Sequence, residues 1–164
     1  MKCIKPLVKW AGAAILYTMV MPSPAFSQQK PDLSDPEIAS VAVAANQIDI
    51  NYAEIAKEKS KNADILEFAQ TMANDHKAVI AQAVALVTKL GVTPKDNAVT
   101  QKMQADAEKT KKMLRSKSGA AFNKAYIDNE VAYHKAVISA VEDLLIPESD
   151  NNEVKELLQS VVPT

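Results

Sequence analysis

Hydrophobic residues recur at spacings of three and four along most of this chain, which is the pattern of amphipathic helices. The first such stretch opens with a helix-start signal, in which Ser34 or Asp35 is followed by Pro36 and Glu37. Its apolar stripe consists of Ile38, Val41, Ala45, Ile48, Tyr52 and Ile55. We therefore predict a long first helix that ends near Ser60.

The same pattern predicts three more long helices and a short one. The long ones cover about residues 62–90, 98–117 and 120–145, and the segment SDNNEVKELLQSVV predicts a short fifth helix. Gly91 and the turn-rich VTPKDN separate the second helix from the third, and Pro147 is expected to end the fourth. No segment shows the alternation of apolar and polar residues that would predict a β-strand. The predicted fold class is all-α: an up-down four-helix bundle with a short C-terminal helix packed at one end.

The first 27 residues have the features of a secretory signal peptide. Three lysines precede the apolar run WAGAAILYTMVM, and Ala25 and Ser27 supply small residues at a cleavage site before Gln28. The run is about a dozen residues long, whereas a membrane-spanning helix needs about 20. We predict a cleaved leader at 1–27, a flexible segment at 28–36 and a helical domain at 37–164. The expected location is the periplasm or outer membrane of a Gram-negative bacterium.

Composition limits the chemistry of the mature chain. Its lone cysteine, Cys3, leaves with the leader, so disulfides, a thiol nucleophile and thiolate metal ligands are excluded. The leader carries three of the 19 basic residues and none of the 20 acidic ones, which leaves a mature net charge of −4. Such a charge gives no basic footprint for nucleic acid. An envelope component or a homo-oligomer remains the expected kind of partner.

Two nearly repeated segments contain both histidines of the chain. DHKAVIAQAV holds His76 and YHKAVISAVE holds His134, and each histidine falls in register with an apolar helical stripe. Both side chains are therefore predicted to point inward. They could form one split site, or they could belong to a packing segment that the chain uses twice.

The segments around these histidines resemble a known family. FAQTMANDHKAV and FNKAYIDNEVAYHKAV are similar to a secreted bacterial family catalogued as domain of unknown function 4142, over about Glu37 to the end. The resemblance implies a ferritin-like helical bundle, and members are labelled putative outer membrane proteins; it implies no established function. This chain has Tyr133 where the family often has an acidic residue, and it ends before a later histidine of the family.

The histidines and nearby carboxylates are the candidates for a metal site. A ferritin-like di-iron centre needs Glu-x-x-His on two helices, but Ala73 and Val131 occupy the glutamate positions. A looser site could draw one polar group from each helix, with a further carboxylate four residues before the second histidine. Such a set could hold zinc, iron or copper. The candidate ligands are His76, His134, Glu130, Asp49 and Asp106.

Axial distances along the predicted helices count against a single shared centre. If each helix starts at the height where the previous one ends, His76 and His134 differ in height by about 10 Å. The sequence thus favours two inward histidines, each satisfied by a polar neighbour such as Glu130, Asp49 or Tyr52. The favoured function is a non-enzymatic binding or structural module of the cell envelope.

The alternative function is a ferritin-like metal-binding protein with a stress-protective or redox role. No catalytic set appears in the sequence: there is no nucleophile–base pair with an orienting group and no phosphate-binding loop. We therefore predict no catalytic residue and no organic cofactor, with a transition metal as the alternative cofactor.

Overall fold

The computed structural model describes residues 31–162, which form helices without any strand. This confirms the all-α class. The predicted leader, residues 1–27, lies outside the described residues. The helices are α1 (Asp35–Lys59), α2 (Ala63–Leu90), α3 (Ala98–Arg115), α4 (Gly119–Ala140), the single turn α5 (Ile146–Glu148) and α6 (Asn152–Val161).

The first two helices begin and end at the residues that the sequence indicates. The Glu37 carboxylate accepts hydrogen bonds from the Ser34 N–H at 3.1 Å and the Ser34 hydroxyl at 2.7 Å, which fixes the start of α1. The Asn62 side chain accepts from the Ile65 N–H at 3.0 Å at the start of α2. Gly91 ends α2 with φ +66°, a conformation that glycine adopts without steric cost.

The end of α4 differs from the prediction. Pro147 does not stop the helix, because a π-helical segment, Val141–Leu145, continues from α4 and leads into α5. Within it the Ile146 N–H donates to the Val141 carbonyl, five residues back. Proline lacks an N–H and clashes with the carbonyl of the preceding turn, and the wider π turn just before Pro147 loosens that turn. The chain leaves the helix at Ser149 instead.

The four long helices alternate in direction. The Lys95 N–H donates to the Pro36 carbonyl at 2.9 Å, so the chain enters α3 beside the start of α1. At the other end, the Lys59 ammonium donates to the Arg115 carbonyl at 2.6 Å. α1 and α3 therefore run parallel, and α2 and α4 run in the opposite direction. We call the end at which α1 begins the upper end, and the other the lower end.

The connection between α2 and α3 is not a simple reversal. α2 has 28 residues and α3 has 18, so α2 is longer by about 15 Å. The connecting segment 91–97 runs back down beside the start of α1 before α3 begins. Measured from the lower end, His76 stands 13 positions after Ala63 and His134 stands 15 positions after Gly119. The two histidines are therefore at nearly the same height.

The interior consists of two clusters of buried side chains. The lower cluster is Ile48, Tyr52, Ala53, Ile55, Ala56, Ala69, Ala73, Ala107, Leu114, Phe122 and Tyr126. The upper cluster is Leu33, Ile38, Val41, Val141, Leu145, Val154 and Leu158. α6 packs at the upper end, where the Asp35 carboxylate accepts from the N–H groups of Asp150 and Asn151 at 3.1 and 3.0 Å.

Within residues 31–162, none of the helices combines the length and the apolar character that crossing a membrane requires.

Candidate metal centre

Asp49, His76 and His134 meet between α1, α2 and α4. The two imidazole rings lie 5.5 Å apart, centre to centre. Nε2 of His76 is 2.8 Å from Oδ2 of Asp49, and Nε2 of His134 is 3.3 Å from the same oxygen. The expected separation of about 10 Å in height was wrong. It assumed that α3 starts where α2 ends, whereas the segment 91–97 first descends along α1.

The position of Asp49 follows from the packing of α1. This helix contacts α2, α3 and α4 and buries residues around most of its circumference. Asp49 has none of its surface exposed, although a carboxylate is seldom fully buried without a partner. The side chains of His76 and His134 are 21% and 36% exposed, so both rings reach from the surface to the buried carboxylate.

The other nitrogen of each imidazole is held by a hydrogen-bond acceptor. Nδ1 of His76 lies 2.7 Å from Oδ1 of Asn46, and the Asn46 amide is oriented because its Nδ2 donates to the Ala42 carbonyl at 2.8 Å. Nδ1 of His134 lies 2.9 Å from the Glu130 backbone carbonyl. Both Nδ1 atoms must therefore carry the hydrogen, which leaves each Nε2 facing Asp49.

This arrangement needs a proton or a cation between the imidazoles and Asp49. A neutral ring with its hydrogen on Nδ1 has a lone pair on Nε2, and a lone pair repels a carboxylate oxygen at 2.8 Å. A metal ion that takes both Nε2 lone pairs and the Asp49 oxygen would satisfy all three groups at once. Two ligands bound at about 2.1 Å in tetrahedral geometry stand about 3.4 Å apart. The two Nε2 atoms lie 2.8 and 3.3 Å from Oδ2 of Asp49, near that spacing, and the ligand atoms of all three residues lie within 4.8 Å of one another.

Glu130 places a second buried carboxyl group beside the first. It is 2% exposed, and its nearer carboxyl oxygen is 3.9 Å from Nδ1 of His134. Burial, and next the charge of Asp49, raise the pKa of Glu130 to about 9. In the neutral form, Glu130 can donate a hydrogen bond to Asp49, and it then adds no negative charge to the centre.

Asp106 does not belong to this cluster. Its side chain is 48% exposed and pairs with Lys102 at 2.5 Å and Lys109 at 2.8 Å, on the outer side of α3. Hydrogen bonds from Lys102 and then Lys109 lower the pKa of Asp106 to about 2. The thin apolar stripe of α3 did not define which flank faces inward, so the sequence could not exclude this residue.

Asn46 was not predicted as part of the site, and the sequence did not indicate which group Tyr133 would contact. Asn46 precedes Asp49 by three positions, so the two side chains share one face of α1, and that spacing was the available signal. The Tyr133 hydroxyl donates to the Ala45 carbonyl at 2.9 Å, and its ring meets that of Tyr52 edge to face at 5.5 Å. This contact ties α4 to α1 beside His134.

Comparison with known proteins identifies a family. No curated protein and no solved structure matches this chain. A family model described as Domain of unknown function (DUF4142) matches residues 20–164, which include all six helices. The chain therefore belongs to the family defined by the domain of unknown function 4142.

Proposed function

We propose that this protein binds one divalent transition-metal ion through Nε2 of His76, Nε2 of His134 and Oδ2 of Asp49. The observation that carries the proposal is the orientation of the two rings. Both Nδ1 atoms are held by acceptors, and both Nε2 atoms face one fully buried carboxylate oxygen. Metal-bound histidines typically show this second hydrogen bond, which fixes the tautomer and the direction of the ring.

The ligand set favours zinc, iron or copper over magnesium or calcium. Imidazole nitrogen suits the first group, whereas the second prefers oxygen ligands throughout. Three protein ligands leave at least one coordination position for water or another ligand. The partial exposure of both histidines gives that position a path to solvent.

Glu130 supports the site without adding to its charge. As a neutral carboxyl group beside Asp49, it can donate a hydrogen bond to the buried ligand. A divalent ion with a single ionised ligand keeps a net charge of about +1. Such a centre can accept an anionic fourth ligand. The proposal is one of metal binding, and it assigns no reaction.

We place this centre in a ferritin-like, up-down four-helix bundle that is exported to the cell envelope. Four long helices of alternating direction and inward-facing ligands on three of them support the fold. The lysines, apolar run and small residues of positions 1–27 support export. The function that fits both the metal centre and the predicted export is the binding of a transition metal in the periplasm, with a protective or redox role.

The metal is tested on the mature chain, residues 28–164, loaded separately with Zn²⁺, Fe²⁺ and Cu²⁺, dialysed and subjected to elemental analysis. We expect about one retained ion per chain, and its loss from His76→Ala, His134→Ala and Asp49→Asn. Asp106→Asn is the matched control, because Asp106 is a paired aspartate outside the cluster. Wild-type protein that retains none of these metals, or Asp49→Asn that retains as much as wild type, would contradict the proposal.

Export is tested by the mass of the full-length gene product recovered from a periplasmic extract. Cleavage before Gln28 predicts a chain shorter by 27 residues than the translated sequence. Recovery of the uncleaved chain from the cytosolic fraction alone would rule out the signal-peptide assignment.

A further inference from the structure

A cavity of about 160 Å³ lies directly above the two histidines. Residues of all four long helices line it, and the π segment and α6 close the upper end. His76 and His134 line its lower end, so the cavity borders two of the three residues of the candidate metal centre. The metal proposal assigns no role to this space.

The walls of the cavity are apolar, and small side chains create its volume. Four alanines line the cavity at positions where longer side chains would fill it: Ala42, Ala45, Ala83 and Ala140. Its polar lining is confined to the lower end and consists of Asn46, Asp75, His76 and His134. An occupant must therefore have an apolar body and a polar group that points toward the histidines.

The size of the cavity matches one six-membered ring. A cavity of about 150 Å³ lined by leucine, isoleucine and phenylalanine binds benzene in another protein. Met72 and Met103 line the present cavity, and thioether sulfur makes favourable contacts with aromatic rings. A long acyl chain needs more room than this volume provides. The observations favour a monocyclic aromatic compound.

The metal centre determines which polar group a ligand in the cavity should have. A divalent ion bound by two neutral imidazoles and one aspartate has a net positive charge and an open position. The two histidines form the polar end of the cavity, and an anionic oxygen placed there would complement that charge. Asp75 is exposed beside His76 and lies at the rim, so it disfavours a second anionic group there.

We propose that the cavity and the metal ion form one ligand site for a monocyclic aromatic compound with a single oxygen donor, a phenolate or a carboxylate. The ring fills the apolar space, and the oxygen completes the coordination of the metal. This inference rests on the proposed function, because the oxygen needs the metal ion held by Asp49, His76 and His134.

The test uses the mature chain loaded with Co²⁺, whose visible spectrum reports a change of ligand. Benzoate is the probe, and acetate supplies the same donor without the ring. We expect benzoate to change the Co²⁺ spectrum and to bind at least about tenfold more tightly than acetate. Benzoate no tighter than acetate would overturn the inference.

Filling the cavity supplies the second arm of the test. Ala83→Leu projects into the space, and we expect it to weaken benzoate binding at least about tenfold while Co²⁺ and acetate binding persist. Ala85→Leu is the matched control, because Ala85 is exposed on the same helix and does not line the cavity. Ala140→Leu fills the space from α4 and replaces Ala83→Leu if that variant does not fold.

The outcomes separate the two proposals. Retained Co²⁺ without benzoate binding rejects the ligand site and leaves the metal site standing. Failure to retain any of Co²⁺, Zn²⁺, Fe²⁺ and Cu²⁺ rejects the metal site and, with it, this inference. Equal benzoate affinity in the metal-free and Co²⁺ forms also overturns the inference, because the oxygen would then not be a metal ligand. Sedimentation of a dimer with no benzoate binding would overturn it in favour of a second copy covering the cavity.

Discussion

The lower part of the interior is closely packed, whereas the upper part, which is also apolar, contains a cavity. In the lower part, Tyr52, Leu114, Phe122 and Tyr126 are at most 2% exposed. The rings of Phe122 and Tyr126 stack at 6.2 Å, so aromatic groups occupy this region closely. In the upper part, apolar side chains of α1, α2, α4 and α6 surround a cavity of about 160 Å³.

The difference separates a closely packed region from one that contains open space. In a closely packed region, each buried methylene group has van der Waals contacts on all sides. Side chains that line a cavity lack those contacts on one side, and the space can accept a ligand. Asp49, Glu130 and the two histidines lie at the boundary between the two regions. The closely packed lower part thus holds the polar cluster in place, and the upper part leaves one side of that cluster accessible.

The largest expected effect is the loss of an aromatic side chain from the lower cluster. Phe122→Ala should lower the free energy of unfolding by about 3–5 kcal/mol, because it leaves a void among fully buried neighbours. Val137→Ala should cost less than about 2 kcal/mol, since Val137 is partly exposed and already borders the cavity. Urea denaturation measures both, and equal losses would contradict the contrast between the regions.

Replacing alanines of α2 by leucine should have different effects on stability in the two regions. Ala69→Leu should destabilise the protein by about 1–3 kcal/mol, because Ala69 is fully buried in the lower cluster and a larger side chain must displace its neighbours. Ala83→Leu should change stability by less than about 1 kcal/mol, because the cavity accommodates the added atoms. Thermal unfolding of the two variants, compared with wild type, tests this ordering. A greater loss for Ala83→Leu than for Ala69→Leu would contradict it.

The boundary between the regions should show a pH dependence. The raised pKa of Glu130, about 9, means that the folded chain keeps a proton which the unfolded chain releases near the ordinary value of 4.5. Between these two values, the free energy of unfolding of the metal-free protein should fall as pH rises, by up to about 1.4 kcal/mol per pH unit. Glu130→Gln carries a neutral amide at every pH and should remove this contribution.

Urea denaturation with a chelator between about pH 5 and pH 8 measures the Glu130 effect. Glu67→Gln serves as the control, because Glu67 is an exposed glutamate on α2 and lies outside the polar cluster. Identical slopes for wild type and Glu130→Gln would show that the carboxyl group is ionised in the folded state.

The smallest expected effect concerns the two ion pairs of Asp106 on α3. Asp106→Asn removes two surface ion pairs, with Lys102 and Lys109, and solvent and salt screen such pairs strongly. We expect no resolvable change in melting temperature at physiological salt. A loss as large as that caused by Phe122→Ala would mean that Asp106 supports the interior.

The helices themselves could be predicted because their signals are local. The cap formed by Ser34 and Glu37, the Asn62 cap and the left-handed turn at Gly91 each depend on residues within one or two turns. The π segment before Pro147 was missed, because a proline signal alone does not distinguish a helix end from a widened turn.

The meeting of the histidines could not be predicted because it depends on the relative height of whole helices. The length of segment 91–97 does not reveal that it descends along α1, and this descent brings His76 and His134 level. The same lack of tertiary information made Asp49 and Asp106 look equivalent in the sequence. Packing on three sides of α1 buries Asp49, whereas Asp106 lies on the outer side of α3.

The distribution of the three candidate ligands along the chain has a consequence for biosynthesis. Asp49 and His76 belong to one helical hairpin that ends at Leu90, so a two-ligand half-site can assemble early. His134 follows about 40 residues later and joins only when α4 packs against that hairpin, a delay of a few seconds at about 5–20 residues per second of synthesis. Under the proposed metal binding, the three-ligand centre is therefore complete only after α4 has packed against the hairpin, because α1 and α2 by themselves offer two of the three ligands.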